Sequence, residues 1–169
     1  PMFLGLLERG LIPDQARILD LGCGQGLLAA WLLAARQSYE SGDWPADWPT
    51  PGQPADIRGV DLLSSDIRRA QAALGAPARF EQGDMRHVDF GEADVVVIMD
   101  VLHYVDIPAQ DDVLRRVRAA LPRGGLFLTW RRPRSLQIVL ALGRQSPQQT
   151  WAPHTLGTTL PFWLTAPPQ

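Results

Sequence analysis

The 169-residue chain has one cysteine, Cys23, so no internal disulfide can form and redox chemistry leaves the compartment unspecified. Its glycine-rich surroundings make Cys23 a small packed residue in a turn rather than a reactive thiol. The net charge of −2 argues against a broad nucleic-acid surface, which needs clustered Lys and Arg. No apolar run approaches the roughly 20 residues of a membrane span, and no basic segment followed by a cleavage signal opens the chain. The expectation is a soluble, cytoplasmic protein without a membrane partner. His87, His103 and His154 lie far apart with no paired ligand spacing, so no metal site is expected. Neither a G-x-S-x-G elbow nor a G-x-x-x-x-G-K-[ST] loop is present, which removes hydrolase and phosphoryl-transfer chemistry. The chain opens on Pro1 rather than Met, so its native N-terminus is expected to be missing.

The informative stretch is Arg17 to Gly26. A short apolar run containing Asp20 leads into Gly22, Gly24 and Gly26, which open onto Leu27-Leu28-Ala29-Ala30-Trp31-Leu32-Leu33. This reads as strand, tight turn and buried helix. Glycine tolerates positive φ and has no Cβ, so such a turn lets main-chain atoms approach a ligand at the carboxyl end of a strand. The dinucleotide fingerprint is G-x-G-x-x-G, aimed at a pyrophosphate. Here the spacing is G-x-G-x-G with Asp20 in front. A carboxylate there opposes a pyrophosphate and suits a ligand with an amino group and a sulfonium.

The rest of the chain alternates strand and helix patterns. Phe3, Leu4, Leu6 and Leu7 suggest a short amphipathic helix. The segment 37–55 is dense in Pro and Gly and reads as a loop or insertion. Its Trp44 and Trp48 either form part of a lid over a substrate or anchor the loop on the body. A second strand, Ile57 to Leu62, ends at Asp61 and precedes a helix from Ser64, a plausible N-cap, to Leu74. In doubly wound nucleotide-binding folds an acid at Asp61's place accepts the ribose hydroxyls. Ala78 to Met85 reads as an edge-ward strand ending in Gly83-Asp84. Glu92 to Asp100 is a central buried strand. A helix over Asp111–Leu121 puts Val113, Leu114, Val117, Ala120 and Leu121 on one stripe, with Arg115, Arg116 and Arg118 turned outward. Leu126 to Trp130 is a fifth strand. The order gives a doubly wound, mostly parallel α/β sheet with right-handed crossovers.

Over about residues 15 to 130 this order resembles class I S-adenosylmethionine-dependent methyltransferases, in their small-molecule-type branch. The resemblance rests on the Asp20–Gly26 motif, Asp61, Gly83-Asp84, the strand ending at Asp100 and Val101-Leu102-His103 after it. It implies a Rossmann-like methyltransferase fold over 1–130, with the Trp/Pro-rich insertion at 37–55, and S-adenosyl-L-methionine as cofactor. It further implies Asp20, Gly22, Cys23, Gly24 and Gly26 around the methionine part, and Asp61 and Leu62 at the ribose. Gly83, Asp84 and Met85 would meet the adenine, with Asp84 receiving its exocyclic amine, and Asp100 would line the pocket. His103 would be a general base for a small-molecule methyl acceptor with an oxygen or nitrogen nucleophile; the alternative is a histidine packed in the pocket wall. Where enzymes that methylate nucleic-acid bases carry Asn/Asp-Pro-Pro-aromatic, this chain has Asp100-Val101-Leu102-His103, so no nucleic-acid substrate is expected.

Residues 131–169 depart from the family. The resembled fold continues with a helix and an antiparallel hairpin, whereas here one apolar stretch, Leu136 to Leu142, precedes a Gln/Pro/Thr-rich tail with Trp151, Phe162 and Trp163. Prolines at 147, 153, 161, 167 and 168 disfavour long paired strands. An incomplete C-terminal hairpin from a truncated or frame-shifted end is the expectation. Two further readings are a non-catalytic, cofactor-binding or interaction module and a nicotinamide-dependent oxidoreductase, the latter disfavoured by the glycine spacing.

Overall fold

A computed structural model describes residues 2–131 and 135–141. The tail residues Trp151, His154, Phe162 and Trp163, with the prolines from 147 on, lie outside the described residues.

Among the described residues six strands form one sheet in the order β3-β2-β1-β4-β5-β6. They are β1 (Arg17–Leu21), β2 (Asp56–Asp61), β3 (Arg79–Gln82), β4 (Val95–Met99), β5 (Gly125–Arg131) and β6 (Ser135–Ala141). Strands β1 to β5 are parallel, and β6 returns antiparallel along β5 with Arg131 opposite Ser135 and Gly125 opposite Ala141. Most of the apolar stretch after Arg131 is thus a strand of the same sheet, β6, and the prolines named above all follow it in the sequence. The helices are α1 (Met2–Glu8), α2 (Leu27–Ser41), α3 (Ser64–Leu74) and α4 (Ile107–Ala120). Among the described residues no helix is long and apolar enough to cross a membrane.

Successive strand side chains point to opposite faces, and this alternation builds a core on each side of the sheet. Ile18, Val95, Val97 and Leu128 pack with Leu6, Leu28, Leu32 and Ile67 from α1, α2 and α3. Leu19, Leu21, Val96, Ile98 and Phe127 pack with Val113 and Val117 from α4. Val95 to Ile98 are fully buried, as a strand covered on both faces requires.

Several element ends differ from the sequence expectation. The segment 37–55 begins as helix, because α2 runs on to Ser41 and stops only at Gly42, in the left-handed region with φ 84° and its N–H turned back to Ser38 and Tyr39 carbonyls. Helix α4 opens at Ile107 rather than Asp111: the Asp106 carboxylate accepts the Ala109 N–H at 3.1 Å, and Pro108 follows in the first turn. Ser64 is the first residue of α3 and not its cap, a position taken by Leu63 without a side-chain bond.

The remainder of the insertion lies against the amino end of β1. Gln53 and Ala55 bond to Gln15 and Ala16 through the main chain, and Asp14 accepts the Gln53 N–H. Trp44 and Trp48 meet edge to face at 5.4 Å and pack on the core. They anchor the loop on the body. A lid over the carboxyl ends of the strands is excluded for them, because the loop sits at the opposite end of the sheet.

Candidate functional site

The strand order reverses between β1 and β4, and a crevice at the carboxyl ends of the strands is where open α/β sheets take ligands. The carboxyl-terminal ends of β1 and β2, at Asp20 and Asp61, and the loops leaving β1, β2, β3 and β4 carry the site residues expected from the sequence.

Gly22, Gly24 and Gly26 all have positive φ, at 80°, 53° and 79°. Two of them are packed shut: a Cβ on Gly22 would run into the Val101 methyls, and one on Gly26 would come within 2.9 Å of the Phe80 ring. A Cβ on Gly24 would meet nothing within 4 Å. The turn therefore closes against Val101, just past β4, and against Phe80 of β3, and leaves open space in front of its middle glycine. Gly22 and Cys23 N–H groups donate to the Val60 carbonyl at 2.8 and 3.1 Å, which ties the turn to β2.

Asp61, the last residue of β2, joins two of the loops. Its Oδ2 accepts the Gly24 N–H at 2.9 Å and its Oδ1 the Leu63 N–H at 2.9 Å. Its carbonyl accepts the Gly83 N–H at 2.9 Å, which brings in the loop after β3. Leu62 beside it is 60% exposed, an apolar surface at the rim.

Asp20 lies beneath the turn, 5% exposed. Burial, with the Asp61 charge adding to it, pushes its carboxyl up to about 7. Cys23 is buried, its Sγ directed at the Gly24 carbonyl, and burial drives its thiol far above the usual range. A packed, unreactive Cys23 is the outcome.

Asp84 follows Gly83 and grips Arg86, whose guanidinium holds the carboxyl down at about 2. Met85 is half-buried beside it against the core below α4. At the end of β4, Asp100 has φ 55°, a strained setting for a residue with a Cβ. His103 follows in a short 3₁₀ turn over Leu102–Tyr104, with Nδ1 3.8 Å from Asp100 Oδ1 and its ring 4.1 Å from that of Tyr104. That Nδ1 distance exceeds a hydrogen bond. Among the described residues no group of three or more His, Cys, Asp and Glu gathers as a metal site.

Sequence reasoning missed two contributors. Val101 is the wall that forces glycine at position 22. Arg116, expected to turn outward, instead reaches inward to the Met85, Arg86 and Val88 carbonyls. The signal was available: position 116 is three residues after Val113 and four before Ala120, both buried.

This donor set fits an adenosyl ligand with a cationic tail. Open space fronts a side-chain-free residue, carboxylates stand at the ends of β1 and β2, and apolar surface lies at Leu62 and Met85 for a flat base and sugar. A pyrophosphate would face Asp20 and Asp61 instead.

The methyltransferase-domain family model matches residues 18–125. A carboxy-S-adenosyl-L-methionine synthase of Chromohalobacter salexigens is 30% identical over 130 residues, which is 74% of this chain and 43% of that protein. The synthase of that name from Glaesserella parasuis is 27% identical over 132 residues, 75% of this chain and 49% of that one. The chain thus spans about half the length of these curated relatives. A solved S-adenosylmethionine-dependent methyltransferase from Mesorhizobium loti superposes with TM-score 0.54 at 25% identity, covering 75% of this chain and 50% of that one. With sheet, glycine turn and family match in agreement, the chain belongs to the methyltransferase-domain family, an enzyme family whose cofactor is S-adenosylmethionine.

Proposed function

We propose that this chain moves a methyl group from S-adenosylmethionine to a small-molecule acceptor with an oxygen or nitrogen nucleophile. The single observation carrying the reading is the Gly24–Asp61 contact, which puts a carboxylate and an unobstructed glycine side by side where three strand ends meet. In this reading Gly22, Cys23, Gly24 and Gly26 cradle the methionine part, with Asp20 as the buried counter-charge to its cationic groups. Asp61 and Leu62 hold the ribose, because two carboxylate oxygens can receive two cis hydroxyls. Gly83, Asp84 and Met85 frame the base, and Asp100 closes the pocket at β4.

When bound, the cofactor supplies a methyl group already activated on a sulfonium. The residues are left with holding the nucleophile in line and close, which is the larger part of the barrier reduction such a transfer needs. His103 takes the acceptor's proton at Nε2, the ring nitrogen turned away from Asp100.

The test is calorimetry with S-adenosylmethionine, S-adenosylhomocysteine and NAD, followed by S-adenosylhomocysteine release in a metabolite pool. Binding of the two adenosyl compounds and not NAD, with release, supports the proposal. No adenosyl binding at millimolar supply overturns it, and binding with neither S-adenosylhomocysteine nor any other cofactor-derived product leaves a non-catalytic module.

The names of the relatives favour a second reading, in which the cofactor's own methyl is not passed on: it gives up a proton, and its carbon bonds to the carboxyl carbon that a decarboxylating carboxylic-acid co-substrate releases as its own C–C bond breaks. Mass spectrometry of the products separates the two, since the second yields a carboxylated sulfonium and no S-adenosylhomocysteine.

A further inference from the structure

The loop after β3 is one tight turn closed on Asp84. His87 and Val88 N–H groups both donate to the Asp84 carbonyl at 2.8 Å, and the Arg86 N–H donates to Asp84 Oδ1 at 2.9 Å. With its N–H groups turned inward, the turn leaves the carbonyls of Met85, Arg86 and Val88 facing the other way, toward α4. All three meet Arg116. Its Nη1 donates to Met85 and Arg86 carbonyls at 2.9 Å each, and its Nη2 to that of Val88. The other side of the guanidinium is fixed too, its central carbon 4.1 Å from the centroid of the Phe90 ring, which is buried. A planar fork with five donors can serve several carbonyls at set angles, while a lysine ammonium acts as a single flexible point charge.

We propose that Arg116 is a positioning residue for base recognition. Clamped between Phe90 and the three carbonyls, it holds the Asp84–Met85 edge in the shape that selects a 6-amino purine, without touching the ligand. The inference rests on the reading of Asp84 and Met85 as the base-recognising residues. Arg86 adds a reason the loop must be held. It already engages both oxygens of the Asp84 carboxylate from within the turn, so the purine amine must share them, and the shape of the loop sets which lone-pair directions stay open to it.

The experiment uses the full chain with R116K, R116A and, as control, R115A, whose side chain pairs with Asp112 on the exposed side of α4. Dissociation constants are measured for S-adenosylhomocysteine and for S-inosylhomocysteine, which carries an oxygen in place of the amine. Amide hydrogen exchange over residues 84–90 is followed in the ligand-free protein. The expected result is a wild-type preference for the adenine ligand of about tenfold or more, the worth of one charge-assisted hydrogen bond. R116K should fall to a few-fold preference or less with faster exchange in the loop, and R115A should match wild type. If R116A does not fold, F90L beside R116K gives the second perturbation of the clamp. R116K that keeps the full preference, or weakens both ligands equally, overturns the role of Arg116 while Asp84 stands. A wild type indifferent to the amine overturns the Asp84 reading, and this inference with it.

Discussion

The Asp61 carboxylate accepts the main-chain N–H of Gly24 at 2.9 Å, a bond across 37 residues of sequence that joins the end of β2 to the glycine turn after β1. The residue proposed for the ribose therefore also holds the turn beside it. D61N keeps one acceptor oxygen and presents an NH2 where the second stood, so it can satisfy only one of the Gly24 and Leu63 amides. We expect affinity for S-adenosylhomocysteine to fall roughly 10- to 100-fold by calorimetry, the worth of losing hydrogen bonds to a charged group. Unchanged affinity would remove Asp61 from the pocket.

Gly22 and Gly24 should separate stability from binding. Both have positive φ, so alanine costs about 1 kcal/mol at either from backbone strain. Only at Gly22 does the new methyl meet Val101, so G22A should be destabilised further, by roughly 2–4 kcal/mol in total, with partial recovery in G22A/V101A. G24A should lose only that strain of about 1 kcal/mol, with no clash added, yet bind S-adenosylhomocysteine far more weakly. Urea denaturation and calorimetry on the same variants check this, and equal binding losses at both positions would contradict it.

Asp20 gives the ligand-free protein a definite pH dependence. Its carboxyl is raised to about 7 in the fold, so between its ordinary range and that value the folded chain binds a proton the unfolded chain has released. This contribution is complete below about pH 4 and is lost as pH rises through 7, on the order of 4 kcal/mol at most. Asp84, at about 2, and Asp94, lowered by its hydrogen bonds to Arg17, act in the opposite sense, and their stabilisation is lost in acid. D20N should flatten the fall between pH 5 and 7.5 without altering the acid limb. Denaturant titrations across that range measure it, and parallel curves for D20N and wild type would refute the assignment.

H103A should leave S-adenosylhomocysteine affinity within about twofold while lowering turnover by roughly 100-fold or more, the usual share of a general base. The rate on the true acceptor, measured beside binding, decides. Undiminished turnover would make His103 a wall residue.

The local parts of this fold were legible in the sequence. Strand, turn and helix from Arg17 to Leu33 follow from an apolar run and from glycines whose positive φ admits little else. The boundaries were less so, because no Gly or Pro interrupts α2 before Gly42, and the first turn of α4 depends on a single side chain, Asp106, accepting one N–H. Asp61 was placed by its strand end, but its grip on Gly24 required β1 and β2 to pair in register. Arg116 was misread for the same reason. The three carbonyls that draw it inward come from about thirty residues upstream and reach α4 only when the sheet has formed.

The paired indoles of Trp44 and Trp48 fasten their loop to the foot of the sheet, separated from the cofactor mouth by the whole length of β1, five residues or roughly 16 Å of extended chain. Trimming or regrafting that loop would consequently change how firmly the foot is laced while leaving ligand choice alone, which makes it a natural attachment point for tags or fusions.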